Sequence, residues 1–173
     1  MKKTGTRMGL RMGFAIVLAL PFAANGADAQ RQAEVAERGK EVMPFDLKAT
    51  THVFTKTAEG GVQRIVAKHG ANPEQVKMAR DHLAQIRREF LAGDFSAPAR
   101  IHGNDMPGLA ELRAARRDAI AIDYRNVEKG GELLYRTSDP KLVHALHAWF
   151  DAQLSDHGAD AMEGHQHHMP AKP

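Results

Sequence analysis

The spacing of apolar and polar positions divides the chain into a short series of elements. Residues 51–56 and 62–68 are rich in Val, Ile, Phe and Thr and flank Glu59-Gly60-Gly61, a pattern that predicts a β-hairpin. Asn72 then caps a helix whose first residue is Pro73, and Val76, Ala79, Leu83, Ile86 and Phe90 give it one apolar stripe that ends at Gly93. A loop over 94–106 follows, and a short helix over about 107–117 turns Leu109 and Leu112 inward. The first pattern then returns. Residues 119–124 and 132–137 read as strands around Lys129-Gly130-Gly131, and Asp139-Pro140 opens a helix that runs to about residue 154. Matching the two Gly-Gly pairs sets Phe54 against Tyr124 and His52 against Ile122. The expected fold is α+β: two ββα units giving a four-stranded antiparallel sheet with helices packed on one face.

The two ends depart from this pattern. Lys2, Lys3, Arg7 and Arg11 precede an apolar run over 12–24, and Ala27-Asp28-Ala29 offers small residues for cleavage before Gln30. Residues 1–29 therefore read as a secretory signal peptide, and the expected location is periplasmic or secreted after cleavage near Ala29. Residues 30–42 are polar and read as a mobile or weakly helical leader, residues 43–158 as a single α+β domain, and residues 159–173 as a disordered tail rich in His and Met. No later stretch reaches the ~20 apolar residues of a spanning helix, so the expected protein is not membrane-embedded.

Charge and composition then narrow the function. Without the basic residues and the single acid of the signal, the formal +3 of the whole chain falls to neutrality. Phosphate binding needs a concentrated basic face, so nucleic acid is not an expected partner. Cysteine is absent, which removes disulfides, thiol catalysis and every Cys-based metal site. Any bound metal must use His, Met, Asp or Glu, and all ten histidines lie beyond the signal.

Four places could carry chemistry. On the last helix, angles of about 100° per residue put Leu142, Val143, Leu146, Trp149, Phe150 and Leu154 on one side and align His144, His147 and Asp151 on the other. That second stripe is either a solvated polar face or part of a metal site, with His157 folding back from beyond Leu154 as a further ligand. The loop His102-Gly103-Asn104-Asp105-Met106-Pro107-Gly108 delivers an imidazole, a carboxylate and a thioether to a helix start. Imidazole with thioether suits copper, and imidazole with carboxylate suits zinc; equally, Asp105 or Asn104 could cap the helix and Met106 fill the core. His52, in a strand, reads as a buried hydrogen-bonded histidine or a ligand, whereas His82 and His69 read as surface residues. Finally, His165, His167, His168 and Met169 in the tail form a compositional metal-binding tract. Hydrolytic readings fare poorly, since no serine lies in a Gly-x-Ser-x-Gly elbow and no phosphate-binding glycine loop is present.

The segments Met43-Pro44-Phe45-Asp46-Leu47, Thr50-Thr51-His52-Val53-Phe54, His102-Gly103-Asn104-Asp105-Met106-Pro107-Gly108-Leu109 and His147-Ala148-Trp149-Phe150-Asp151-Ala152-Gln153-Leu154-Ser155-Asp156-His157-Gly158 resemble those of a small bacterial family of exported proteins. Its members are often labelled aspartate carbamoyltransferase. This chain is far shorter than a transcarbamoylase and lacks the Ser-Thr-Arg-Thr carbamoyl-phosphate loop, so the resemblance implies one coherent domain with His52, His102, His147 and His157 in its motifs, and no activity. The expectation is an exported metal-binding protein, copper before zinc. It would buffer metal or hand it to a protein partner through His52, His102, Met106, His144, His147 and His157, with the tail as accessory. The alternatives are a small His/Asp enzyme of unknown substrate, with or without a metal ion, and a non-catalytic partner-binding domain.

Overall fold

The computed structural model describes residues 24–70 and 72–165. Residues 1–23 of the predicted signal over 1–29 and the tail residues His167, His168 and Met169 lie outside the described residues. The fold is α+β. Strands β1 (Thr50–Thr57), β2 (Gly60–Ala67), β3 (Ala121–Val127) and β4 (Gly130–Arg136) form the two expected hairpins. A fifth strand, β5 (Ala161–Glu163), corrects the four-stranded antiparallel expectation, because it joins β1 in parallel and makes the sheet mixed, in the order β3-β4-β2-β1-β5. Its cause is local. Gly158, at φ +51°, stops the last helix and a single 3-10 turn lays the next residues along β1. Part of the segment expected to be a disordered tail is thus held by the sheet, down to Gly164 N–H donating to the Phe54 carbonyl.

The two Gly-Gly pairs do not make the hairpin turns. Those turns fall at Ala58-Glu59 and Glu128-Lys129, and each glycine pair opens the second strand of its hairpin. The glycines are needed where the hairpins meet: a Cβ on Gly60 would overlap the Tyr135 carbonyl, one on Gly130 the Ile65 carbonyl, and one on Gly61 the Phe150 ring. Because β2 pairs with β4, Gly60 opposes Arg136 just as Gly130 opposes Val66, with Gln63 opposite Leu133 between them. The internal repeat is therefore a pseudo-two-fold relation about the centre of the sheet.

Helices α2 (Pro73–Leu91) and α5 (Pro140–His157) cover one face of the sheet. Both start as the sequence predicts, with Asn72 and Asp139 accepting backbone N–H bonds from Glu74 and Lys141 ahead of a first-turn proline. Ala79, Leu83, Ile86 and Phe90 of α2 meet Leu142, Leu146, Trp149 and Phe150 of α5 in one core. Helix α4 (Leu109–Ala114) packs on α5 and is shorter than predicted. Two further helices correct the expectation. Residues expected to be loop form α3 (Ser96–His102), nucleated by Asp94 Oδ1 accepting the Ser96 N–H at 2.8 Å and by Pro98 in the first turn. Helix α1 (Ala24–Gly39) takes in residues 24–29 of the expected signal and 30–39 of the leader expected to be mobile or weakly helical, and it lies against α5 and α3 with Val35 wholly buried. The order of the domain therefore begins before Met43.

The opposite sheet face carries half-buried Val53, Val62, Val66 and Leu134, and a buried Glu132 carboxylate held between the guanidinium groups of Arg64 and Arg125. Among the described residues no helix is long and apolar enough to cross a membrane.

Candidate functional site

The inner end of β1, the middle of α2 and the C-terminal ends of α3 and α5 converge on one cavity of about 40 Å³. Each element contributes an imidazole, from His52, His82, His102 and His157 respectively. His52 and His102 are 3% and 1% exposed. The His52 and His157 rings stack with centroids 4.8 Å apart and planes within 4° of parallel, and the His102 ring meets His157 edge-on at 5.0 Å. His82 stands beyond Phe45, edge-on to its ring at 5.4 Å. The Met43 thioether side chain and the Trp149 indole also line the space.

His102 is oriented by a chain of charge. Its Nδ1 lies 2.8 Å from Asp156 Oδ2, and Asp156 in turn receives both Arg31 Nε at 2.9 Å and Arg31 Nη2 at 2.7 Å. Arg31 also reaches the His102 carbonyl at 2.5 Å. Burial alone would raise the Asp156 carboxyl, but the hydrogen bonds from His102 and Arg31 outweigh it and hold the group well below the usual carboxylate range. An ionised Asp156 requires His102 Nδ1 to carry a proton, so that in the neutral ring the lone pair is on Nε2.

The other imidazoles are kept neutral by their surroundings. Burial lowers His82 and His157 to about 4 each, and lowers His52 well below its ordinary value, with the neighbouring His157, His82 and His102 adding to the effect. The Asp160 backbone hydrogen-bonds the His52 ring, and His52 Nδ1 has no partner among the described residues. In a neutral ring whose other nitrogen donates to a carbonyl, Nδ1 bears a lone pair. The site thus presents at least two unprotonated ring nitrogens with His157 packed between them. Among the described residues, no three His, Asp or Glu side chains already stand as a metal-ligand set.

Of the residues predicted from sequence, His52, His102 and His157 are brought together. Met106 is not; it is buried in the core, as its blander reading held. His147 lies elsewhere and donates from Nε2 to the carbonyls of Thr57 at 3.0 Å and Gly60 at 2.9 Å, which fastens the β1–β2 turn to α5. His144 is exposed in a separate surface groove beside Gly108 and Lys141, and Asp151 pairs with Lys56 at 2.5 Å. The polar stripe on α5 is therefore structural and solvated rather than a convergent site. His165 is exposed. Sequence reasoning missed His82, Met43, Asp156 and Arg31. Two of these carried a signal: His82 precedes Leu83 by one residue and Ile86 by four, on the flank of the buried stripe, and Asp156 follows Trp149 by seven, which continues the buried face of α5.

No protein-family model, curated protein or solved structure matches the chain at a significant level.

Proposed function

We propose that this is an exported metal-binding protein whose site is the four-imidazole cavity, with copper preferred to zinc. The observation that carries this reading is a pair of ring nitrogens in one space with His82 and His157: His52 Nδ1, without a partner among the described residues, and His102 Nε2, the lone-pair nitrogen of the neutral ring whose Nδ1 faces Asp156. Neutral imidazoles are the form that binds metal, and the carboxylate behind His102 is the usual support for a ligating histidine. Volume separates this reading from the enzyme alternative. A space of about 40 Å³ holds on the order of two or three water-sized bodies, whereas pockets for organic ligands run to roughly 300 Å³ or more.

Charge argues for the monovalent ion. The imidazoles of His52, His82 and His157 are held neutral by burial, and Asp156, the nearest carboxylate, is already paired with Arg31. The cost of burying an ion rises steeply with its charge, so an uncharged ligand set favours Cu(I) over Zn(II). The Met43 thioether points the same way. Uptake requires the stacked His52 and His157 rings to part, since they do not yet converge on one point.

The test is copper stoichiometry and affinity, by elemental analysis and competition with a Cu(I) chelator, on full-length chain with His165, His167 and His168 changed to Ala. One tightly held ion per chain is expected, lost in His102→Ala and His157→Ala and retained in His144→Ala. A chain that takes up no ion once the tail is silenced would overturn the reading.

A further inference from the structure

Strand β3 is one of the two edges of the sheet, and unlike β5, which is three residues long, it offers seven residues to a neighbour. The two-residue turn makes Val127 and Gly130 a hydrogen-bonded pair. The alternation of an antiparallel ladder then turns the backbone groups of Ala121, Asp123 and Arg125 toward β4, and those of Ile122, Tyr124 and Asn126 outward. Of these outward groups only the Ile122 carbonyl has a side-chain partner among the described residues, the Arg87 Nε–H at 2.7 Å. A row of free donors and acceptors is a template for another strand, and proteins commonly disarm such edges with charge. On β3 the charges have both signs. Asp123 and Arg125 stand on the sheet face opposite the helices, with side chains 56% and 68% exposed. Each ends a row of alternating charge at the edge: Arg64, Glu132 and Arg125 in one, Arg136 and Asp123 in the other.

We propose that β3 pairs antiparallel with β3 of a second copy of this chain, about a two-fold axis at Tyr124, and joins the two sheets into one. That register overlaps the whole strand and sets Asp123 opposite Arg125 of the second copy twice, at positions without backbone hydrogen bonds, where facing side chains come closest. The charge rows then run unbroken across the axis, from Arg64, Glu132 and Arg125 to Asp123 and Arg136 of the second copy. Moving the axis to Asp123 or Arg125 brings like charges face to face. Moving it to Ile122 or Asn126 leaves no Asp–Arg pair and shortens the overlap. The Ile122 carbonyl keeps a second lone pair for Asn126 of the second copy. On the other face the two Tyr124 side chains meet at the axis, beside the groove that Val76, Arg80 and Ala84 of α2 form with the strand. Strand β3 contributes nothing to the imidazole cavity, so the pairing stands apart from the metal reading.

Sedimentation of the full-length chain should show a reversible monomer–dimer equilibrium that weakens with salt, since the facing pairs are exposed. Asp123→Arg sets two cations face to face at both positions and should weaken the dimer about tenfold. The fold should be kept, because the Asp123 side chain is exposed and bonds an exposed Arg136. Arg125→Asp should weaken it likewise, and an equimolar mixture of the two variants should dimerise, because each chain then faces the opposite charge twice. Amide exchange locates the contact: the Tyr124 N–H should exchange more slowly as concentration rises. A chain that stays monomeric up to about 1 mM overturns the inference. So does a dimer that Asp123→Arg leaves intact, or a Tyr124 N–H whose exchange ignores concentration. Should Arg125→Asp fail to fold through the loss of one Glu132 partner, Asp123→Arg and the Tyr124 exchange decide.

Discussion

Two histidines from the conspicuous motifs near the end of the chain have opposite employments, and mutation should separate them. His147 spends its Nε2 hydrogen on the Thr57 and Gly60 carbonyls, so His147→Ala should lower stability by about 1–2 kcal/mol in denaturant unfolding and leave copper binding intact. Asp156→Asn attacks the site instead. It removes the charge that fixes the His102 proton and leaves Arg31 with a weaker partner, and the expected loss is about 10- to 100-fold in metal affinity. Acid acts on the histidines of the cavity. His82 and His157, lowered to about 4 by burial, stay neutral in the fold, while in the unfolded chain they titrate near 6.5. Between those values the unfolded state binds more protons, so their stabilising effect is complete above about pH 6.5 and is lost as the pH falls toward 4. A stability series should show a drop on the order of 2 kcal/mol from pH 7 to pH 5, discounted for their partial exposure. Asp156 acts in the same sense at still lower pH, because its folded carboxyl is depressed and its contribution is lost only on protonation. A flat profile from pH 7 to 5 would contradict neutral, buried imidazoles.

At the scale of elements, the least expected part of the molecule is helix α1. Val35 is wholly buried, and Arg31 closes over Asp156 and the His102 carbonyl, so α1 belongs to the domain and to the site. Val35→Asp should expose α1 to limited proteolysis and weaken metal binding, whereas a detachable leader would tolerate it with little change. The hairpins, the two long helices and the repeat between them were legible because local signals there agree: β-branched runs, Asx-Pro starts and apolar stripes. Helix α1 was not, since its mean polarity hides a narrow contact face around Val35. Strand β5 was not, since three residues carry no period. For the site, the sequence marks His52, His102 and His157 as candidates, but the choice among ten histidines depends on which element ends point inward. That is set by tertiary packing: His147 and His157 share a helix, and only the one at its final turn reaches the cavity. Met43 rather than Met106 lines the cavity for the same reason, although both side chains belong to the core.

For the whole molecule, the metal reading makes a linkage prediction that is independent of any spectroscopic assignment. The ligand nitrogens come from β1, α2, α3 and α5, so an ion held among them ties together nearly every layer of the fold and binds only when all are in place. The unfolded chain offers no such convergence, although its tail histidines can still bind weakly and reduce the effect. Stabilisation then follows the ratio of free metal to dissociation constant, about 2.7 kcal/mol at a hundredfold excess. For a chain of 173 residues, each kcal/mol is worth roughly 2–4 °C in Tm, so loading should raise Tm by about 5–10 °C. Calorimetry with the tail histidines changed to Ala isolates the folded site. A rise that survives this change and disappears in His102→Ala assigns it to the cavity, whereas a rise that vanishes with the tail would mean that the metal is held outside the fold.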